Sequence, residues 1–199
     1  MQAIQISALP APGSSCRRLR GFTLVELLIT VAVLAILTTM AVPAFTDVYN
    51  ASRLSGQTNE LVSALHVARS EAVRRNGNVV FCRSDEQGSG CIEGEGTWSG
   101  WLVFDDANGD SGFDSGEELI QRGSIRSPLR VQSNFGDRLR FRSDGRARNS
   151  SATTLVSGSL RVCLETTLPP ENIRDIVLIA GGKISLSRSD GTGKCVAPS

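Results

Sequence analysis

The sequence is poor in the side chains that most enzymes use for acid–base chemistry. Its 199 residues include one histidine, His66, and aromatic residues make up only 5% of the chain. A single histidine leaves no Ser–His–Asp or Cys–His set to assemble, and no glycine pattern of the Walker or Rossmann type is present. The formal net charge is +1, so bulk charge selects no partner. These absences predict that the chain is not an enzyme.

Charged residues are also missing from a long stretch near the N-terminus. Residues 27–46 carry no charge, and a helix of that length, at about 1.5 Å per residue, is roughly 30 Å long, the thickness of a bilayer core. Residues 1–25 hold no acid but include Arg17, Arg18 and Arg20. Because positive charge stays cytoplasmic, this pattern predicts a single membrane pass with the rest of the chain outside the cytoplasm. A cleaved secretory signal peptide is the alternative, but its apolar region spans only about 7 to 15 residues.

The residues around the start of the apolar run carry a recognisable motif. The stretch "RGFTLVELL", residues 20–28, holds a basic residue, then Gly21 and Phe22, with Glu26 at the fifth position after the glycine. It resembles the class III signal of type IV prepilins and type II secretion pseudopilins. The resemblance implies that a prepilin peptidase removes the leader, residues 1–21, by cutting between Gly21 and Phe22, and then methylates the new Phe22 amine.

Glu26 and Pro43 are the other two positions that the resemblance marks. A carboxylate within a membrane costs several kcal/mol, so Glu26 predicts a function with a partner. In the family that partner is the N-terminal amine of a neighbouring subunit, met as the helices stack into a filament. Pro43 matches the family's helix-kinking proline, which removes one backbone hydrogen bond. The implied partners are other pilin or pseudopilin subunits and an inner-membrane assembly platform.

The chain continues from the apolar run into an amphipathic helix. Apolar residues recur at helical spacings and draw one stripe, formed by Leu54, Leu61, Leu65, Ala68 and Ala72. Asn76–Gly77 is typical of a helix C-cap. The sequence therefore predicts one helix from Phe22 to Asn76, with a membrane or filament half at 22–46 and an amphipathic half at 47–77.

The periodicity changes to two after Gly77. Short β-rich runs are separated by Gly, Ser, Asn, Asp and Pro; the first is "NVVFCR", residues 78–83, and the last is "KISLSRS", residues 183–189. A long helix followed by about seven or eight such strands predicts an α+β fold, with an antiparallel β head over 78–199 packed on the helix. Pseudopilin and minor-pilin heads resemble this arrangement. Trp98 and Trp101 are expected to fill the space between sheet and helix.

The cysteines indicate the redox compartment. Cys16 lies in the leader and would be removed with it, which leaves four cysteines in the head. An even number in a periplasmic domain suggests two disulfides, and four cysteines allow three pairings. We favour Cys82–Cys91, which closes a short acidic loop, and Cys163–Cys195, which pins the C-terminal tail. Zinc is the rival, but the sequence has no CxxC and only one histidine.

Charge in the head is segregated along the sequence. Residues 85–118 hold ten acids and no Lys or Arg, whereas residues 122–148 hold eight arginines and two acids. Neighbouring blocks of opposite sign exceed what a solvated surface requires. The two blocks could also satisfy each other across the fold, so both a binding role and an internal role stay open at this point.

The acidic block contains "DANGDSGFDSGE", residues 106–117. Oxygen-bearing side chains stand at the first, third, fifth, ninth and twelfth places of an EF-hand-like calcium loop, namely Asp106, Asn108, Asp110, Asp114 and Glu117. The sixth place holds Ser111 where such a loop needs glycine, and the flanks read as strands. Calcium is therefore the one cofactor that the sequence suggests. The alternative is a surface loop, rich in Asx turns, that is satisfied by its own backbone.

The basic block contains "SDGRARNS", residues 143–150, in which Gly145, Arg146 and Arg148 spell GRxR. This resembles the motif of FimT-type minor pilins that bind DNA during natural transformation. Arginines on alternate residues point the same way and can reach successive phosphates, and Gly145 lets the backbone approach closely. The same spacing extends the stripe to Arg138, Arg140 and Arg142. Against DNA binding stand a general arginine bias, nineteen Arg to two Lys, and DGR turns in related heads without a DNA role.

Three functions remain. With its GspH/FimT-type resemblance, the chain would be a minor type IV pilin that assembles into or primes a pilus and binds double-stranded DNA for uptake. The alternative is an H-type minor pseudopilin of a type II secretion system, which is purely structural. The arginine stripe favours the first. An independent membrane-anchored receptor is the third, and Glu26 argues against it because a lone anchor has no partner for that charge.

Overall fold

The computed structural model describes residues 21–149, 153–179 and 182–198, without the side chains at positions 40 and 43. These residues form one helix, α1 (Leu24–Arg75), followed by nine strands. The strands are β1 (Val79–Ser84), β2 (Gly100–Asp105), β3 (Leu119–Ser124), β4 (Arg130–Ser133), β5 (Arg138–Phe141), β6 (Ala147–Arg148), β7 (Gly158–Cys163), β8 (Ile173–Ile179) and β9 (Lys183–Ser189). The predicted α+β class is confirmed. The leader prediction, except for Gly21, and Cys16 with it, lies outside the described residues.

Both ends of α1 are set by local hydrogen bonds. At the start, the Thr23 hydroxyl oxygen accepts a hydrogen bond of 3.2 Å from the Glu26 amide, as an N-cap residue does. At the end, Asn76 has a φ of 53°, and the Gly77 amide donates to the Ala72 carbonyl at 3.1 Å. This is a Schellman C-cap. The sequence-based helix limits are therefore correct to within two residues.

The chain divides into two compact units, Met1–Ala41 and Val42–Ser199. Of the first unit, the described part consists of residues 21–23 and the helical residues 24–41. The helical range also includes Pro43, which therefore does not end α1. The kink expected at Pro43 stays a prediction.

The second unit contains two antiparallel sheets. The first sheet has the strand order β3-β2-β1-β5-β6, and the second has the order β4-β7-β8-β9. Eight of the nine strands coincide with the β-rich runs in the sequence. The ninth, β6, has only two residues, too few to show an alternation of apolar and polar residues.

The main core lies between the amphipathic half of α1 and the two sheets. All five residues of the predicted apolar stripe are fully buried in it. Trp98 and Trp101 belong to the same cluster, and Trp98 stacks on Phe81 with ring centroids 5.3 Å apart. The prediction that the tryptophans are core residues is confirmed.

A second, smaller cluster covers the opposite face of the first sheet. Val80, Cys82, Leu102 and Phe104 form it. Phe113, from the loop after β2, packs against Phe104 at 5.2 Å between centroids. The loop after β1 is tied to the same face by the Cys82–Cys91 disulfide, and a second disulfide joins Cys163 to Cys195. This is the pairing that the sequence favoured.

Candidate functional site

The first candidate site is the apolar surface of the N-terminal unit. Its large apolar side chains are mostly exposed, among them Phe22 at 80%, Leu28 at 61% and Leu37 at 61%. Within the described residues, α1 is the one helix that is long and apolar enough to cross a membrane. A helix that is hydrophobic on all sides is stable only when something apolar surrounds it. This segment therefore needs hydrocarbon or other protein chains around it.

Glu26 is the single acid on this apolar surface. Its backbone amide is used by the Thr23 cap, but its side chain forms no ion pair within the described part of the chain. Gly21 and Phe22 precede the helix, and among the described residues beyond its chain neighbours no atom lies within 4 Å of the position that a Gly21 side chain would take. Gly21, Phe22 and Glu26, which the resemblance marks for cleavage, methylation and assembly, thus lie close together at the start of α1, whereas Pro43 lies further along the helix.

The second candidate site is the basic turn, residues 142–148, which follows β5 and includes β6. The Gly145 amide donates to the Arg142 carbonyl at 2.8 Å, and the Arg142 amide donates to the Arg146 carbonyl at 3.3 Å. Gly145 has a φ of 69°, in the left-handed region that favours glycine. The side chains of Arg142 and Arg146 are exposed. The turn therefore presents two exposed cations.

Asp144 compensates part of the charge of this turn. The Arg146 amide donates to one of its carboxylate oxygens at 3.0 Å, and Arg148 donates to the other at 3.2 Å. These contacts, the backbone one first, lower the pKa of Asp144. Arg148 is partly buried in this pair, so of the GRxR arginines Arg146 is the freer one.

The assignment of Arg138 and Arg140 to a DNA-binding stripe is wrong. Their exposed fractions are only 8% and 6%. Arg138 pairs with Asp137 at 3.1 Å and with Glu93 at 3.3 Å, and Arg140 pairs with Asp106 at 3.0 Å. Their alternation in β5 does place them on one face, but that face is covered by loops. The two oppositely charged blocks of the sequence therefore satisfy each other at these positions.

The structure also corrects the prediction of a calcium site in the loop of residues 106–117. Asp106 is buried, and one of its carboxylate oxygens accepts hydrogen bonds from the amides of Gly109 and Ser111. The other ligand candidates also form hydrogen bonds within the loop. Asp110 accepts a hydrogen bond from the Gly112 amide, and Glu117 accepts from the amides of Ala107 and Asp114. The side-chain amide of Asn108 donates to Asp110 and Asp114. The described residues contain no group of three or more His, Cys, Asp or Glu side chains placed to hold a metal ion. The loop matches the Asx-turn alternative.

Two residues near the basic turn gave no signal in the sequence. Arg69 on α1 donates to the Gly182 carbonyl at 2.8 Å, and Gly182 lies against the carbonyl of Gly145. Lys183, the next residue, is exposed at the start of β9. Residues far apart in the sequence, on three elements, thus meet at the turn, which no local pattern could predict.

Comparisons with known proteins identify the family and agree with the first site. Residues 57–182 match the family model described as Type II transport protein GspH. The chain belongs to the GspH family. Residues 16–42 match the model described as Prokaryotic N-terminal methylation motif. The resemblance to GspH/FimT-type minor pilins and pseudopilins is thereby confirmed.

Proteins of two bacteria show what this GspH-family chain is similar to. It is 35% identical over 103 residues to Pilin-like protein PilA1 of Thermus thermophilus, over 50% of this chain and 56% of the relative. The match thus spans little more than half of that relative's length. Two crystal structures of the type IV minor pilin FimU of Pseudomonas aeruginosa (strain PAO1) are similar, with TM-scores of 0.46 and 0.42 at 16% and 18% identity. They cover 67% and 66% of this chain, and 91% and 90% of their own.

Proposed function

We propose that this chain is a minor pilin that waits in the bacterial inner membrane and is then assembled into a filament. Prepilin peptidase would cut between Gly21 and Phe22 and methylate the Phe22 amine. The helix 22–46 would be retained as the single membrane pass, with the head, residues 78–199, in the periplasm. The observation that carries this proposal is the exposed apolar surface of α1, together with the match to the methylation motif at residues 16–42. An inner-membrane assembly platform would move the helix from lipid into the filament.

In this proposal Glu26 pairs with the Phe22 amine of a neighbouring subunit. A carboxylate in the first turn of a helix stabilises that helix by about 0.3–1 kcal/mol. An acid inside a membrane segment is costly, and the cost reaches about 2.5–3.5 kcal/mol at the helix centre. Where that cost exceeds the gain from the first turn, the side chain needs a partner outside its own helix. The α-amine of an adjacent subunit has the positive charge that this carboxylate requires.

The test is to replace Glu26 with glutamine, which removes the charge and keeps the shape. Thr30→Val is the matched control, because Thr30 lies one turn further on and bonds only the Leu27 carbonyl of its own helix. We expect Glu26→Gln to remain in the membrane fraction but to be missing from sheared filaments. Thr30→Val should be found in both. Normal incorporation of Glu26→Gln would exclude the proposed pairing.

DNA binding is a second function that we propose for the head. The supporting observation is that the side chains of Arg142 and Arg146 are exposed and form no ion pair or hydrogen bond with the described residues. Two guanidinium groups on one turn can each contact a phosphate. Arg138 and Arg140 are buried and paired with Glu93 and Asp106, and Arg148 is paired with Asp144 in the turn itself, so these three arginines are less available to a phosphate.

A salt titration of the full mature chain in detergent tests this function. Duplex DNA would be titrated at several salt concentrations against the wild type, Arg142→Gln/Arg146→Gln and a control pair, Arg122→Gln/Arg188→Gln, which removes the same charge from exposed sites elsewhere. We expect binding that weakens steeply with salt and that the first pair largely abolishes. Equal losses of DNA binding in both double variants would mean that overall charge attracts the DNA and that the basic turn is not a specific site.

The alternative, an H-type minor pseudopilin of a type II secretion system, would be a structural subunit only. The observation that favours it is that Arg138, Arg140 and Arg148 are all paired within the head, which leaves few cations for a ligand. Absence of DNA binding by the wild type at low salt would support this alternative. The assembly proposal for Glu26 holds in either case, because both machines are built from the same helix packing.

A further inference from the structure

Three parts of the chain meet at Gly145. A Cβ atom at Gly145 would lie 3.3 Å from Arg69 Nε and 3.3 Å from a methyl group of Val73, both on α1. A Cβ atom at Gly182 would lie 2.8 Å from the Gly145 carbonyl oxygen and 3.6 Å from the guanidinium carbon of Arg69. Arg69 closes this arrangement by donating to the Gly182 carbonyl at 2.8 Å. The Arg69 side chain thus contacts both Gly145 and Gly182.

We propose that Arg69 is the positioning residue of the basic turn and that Lys183 is a further phosphate-contacting cation beside it. This inference rests on the DNA-binding function proposed above and enlarges its site from one turn to three elements. The site would then consist of Arg142 and Arg146 from the turn and Lys183 from the start of β9, held in place by Arg69 from α1.

Gly145 has a different role in this arrangement from the one that its motif suggests. It is buried, so its backbone cannot approach a phosphate. Instead, the missing side chain lets the turn lie directly on Arg69 and Val73, and the φ of 69° favours glycine in the same place. The glycine therefore fixes where the turn sits on the helix, and the arginines on either side are oriented as a consequence.

Lys183 extends the positive surface of the basic turn because the residue before it contacts that turn. It follows Gly182, which lies against the Gly145 carbonyl, and it is exposed. Asp144, in the basic turn, is already engaged by the Arg146 amide and by Arg148, and Glu71 on α1 is paired with Arg74 and Arg75. An ammonium group is a compact charge suited to a phosphate oxygen. Lys183 has no ion pair with any residue that the structure describes.

The role of Lys183 is tested by the salt dependence of DNA binding. Each phosphate contact contributes about 0.9 to the slope of log K against log salt for duplex DNA. We expect Lys183→Gln in the full mature chain to reduce that slope by about one contact and to weaken binding several-fold at low salt. Arg188→Gln is the matched control, since Arg188 is an exposed cation near the other end of β9. An unchanged slope in Lys183→Gln, or an equal change in Arg188→Gln, would overturn this part.

The role of Arg69 is tested without DNA, by hydrogen exchange of the amides of Gly145 and Gly182, which bond the Arg142 and Ile179 carbonyls. We expect Arg69→Ala to speed exchange at both amides at least ten-fold while the amides of β1 keep their protection. Arg69→Lys, which retains the charge but loses the guanidinium fork, should also speed exchange at both amides. It takes the place of Arg69→Ala if that variant fails to fold. Arg74→Ala, an exposed arginine on the same helix, should leave both amides unchanged.

The two readouts separate the two proposals. If the wild type does not bind DNA, the DNA-binding function fails whatever the exchange rates show. If the wild type binds DNA but exchange at Gly145 and Gly182 is unaffected by both Arg69 variants, the function stands and the positioning role of Arg69 is wrong.

Discussion

The guanidinium of Arg140 lies 3.0 Å from the carboxylate of Asp106, inside the loop of residues 106–117. Arg140 also donates to the Gly109 carbonyl and to the Ser111 hydroxyl. All these oxygens belong to the loop that resembles a calcium site. A cation supplied by β5 therefore holds the loop from within, where a metal-binding loop would hold a calcium ion.

Arg140→Met is expected to destabilise the protein strongly. Breaking one side of a buried ion pair leaves the other charge uncompensated and costs about 3–5 kcal/mol. Arg142→Met, two residues further on and exposed, should change the free energy of unfolding by no more than about 0.5 kcal/mol. Urea denaturation of the two variants measures the difference. Equal effects would show that Arg140 does not support the loop.

Calcium is expected to leave the melting temperature unchanged. A ligand that binds only the folded state raises the apparent stability with its concentration. Here the carboxylate of Asp106 is already paired with Arg140 and with backbone amides, which leaves no cluster for the ion within this loop. Thermal melts with and without millimolar Ca²⁺ make the comparison. A melting temperature that rises with calcium would contradict the structure of the loop.

Stability is expected to fall in acid through the ion pairs of Arg75. This side chain contacts Glu71, Asp105 and Glu118 at 2.7–3.0 Å. Hydrogen bonds from Arg74 and then from Arg75 lower the pKa of Glu71 from 4.5 to about 2. Because the pKa is lower in the folded state, the stabilisation is fully present above pH 4.5 and is lost as the pH falls toward 2.

Urea denaturation midpoints at about pH 7, 4.5, 3 and 2, which bracket this window, measure the loss of stability. Glu71→Gln should flatten the decline between pH 4.5 and 2. Glu86→Gln, which changes an exposed acid of the loop after β1, should keep the wild-type dependence. A decline that is identical in all three proteins would remove Glu71 as its source.

Gly123→Ala is expected to disturb the main core. A Cβ atom there would lie 2.5 Å from Trp101 Cζ2 and 2.7 Å from Glu60 Oε1. Trp101 is 1% exposed and has no space to move, so overpacking should cost about 1–3 kcal/mol. Gly90→Ala, where nothing lies within 4 Å, is the control. A stable Gly123→Ala variant would mean that the tryptophan can shift.

The four cysteines of the head are expected to resist alkylation until a reductant is added. The Cys163–Cys195 bond closes a segment with a sequence separation of 32, so the chain-entropy estimate for its contribution is about 3–4 kcal/mol. The double variant Cys163→Ala/Cys195→Ala should therefore unfold at a clearly lower urea concentration. Labelling of any head cysteine in the oxidised protein would contradict the pairing.

Local patterns in the sequence determine most of the secondary structure. The apolar stripe from Leu54 to Ala72 has the period of a helix and faces the core, and Asn76–Gly77 ends the helix as a C-cap. Eight strands coincide with short β-rich runs that are bounded by turn residues. The apolar run next to Glu26 predicts a membrane and assembly segment, because its length and its lack of charge are properties of the sequence alone.

Only the tertiary structure decides which faces are covered. The alternation in β5 places Arg138 and Arg140 on one face, but whether that face meets solvent depends on the loops after β1 and β2. Those loops pack over it through Phe113 and the Cys82–Cys91 bond, which turns two candidate DNA ligands into internal counter-ions. In the same way, Arg69 reaches Gly145 only after α1, β5 and β9 have come together. Periodicity fixes the side of an element on which a residue lies, and packing between distant segments determines what that side contacts.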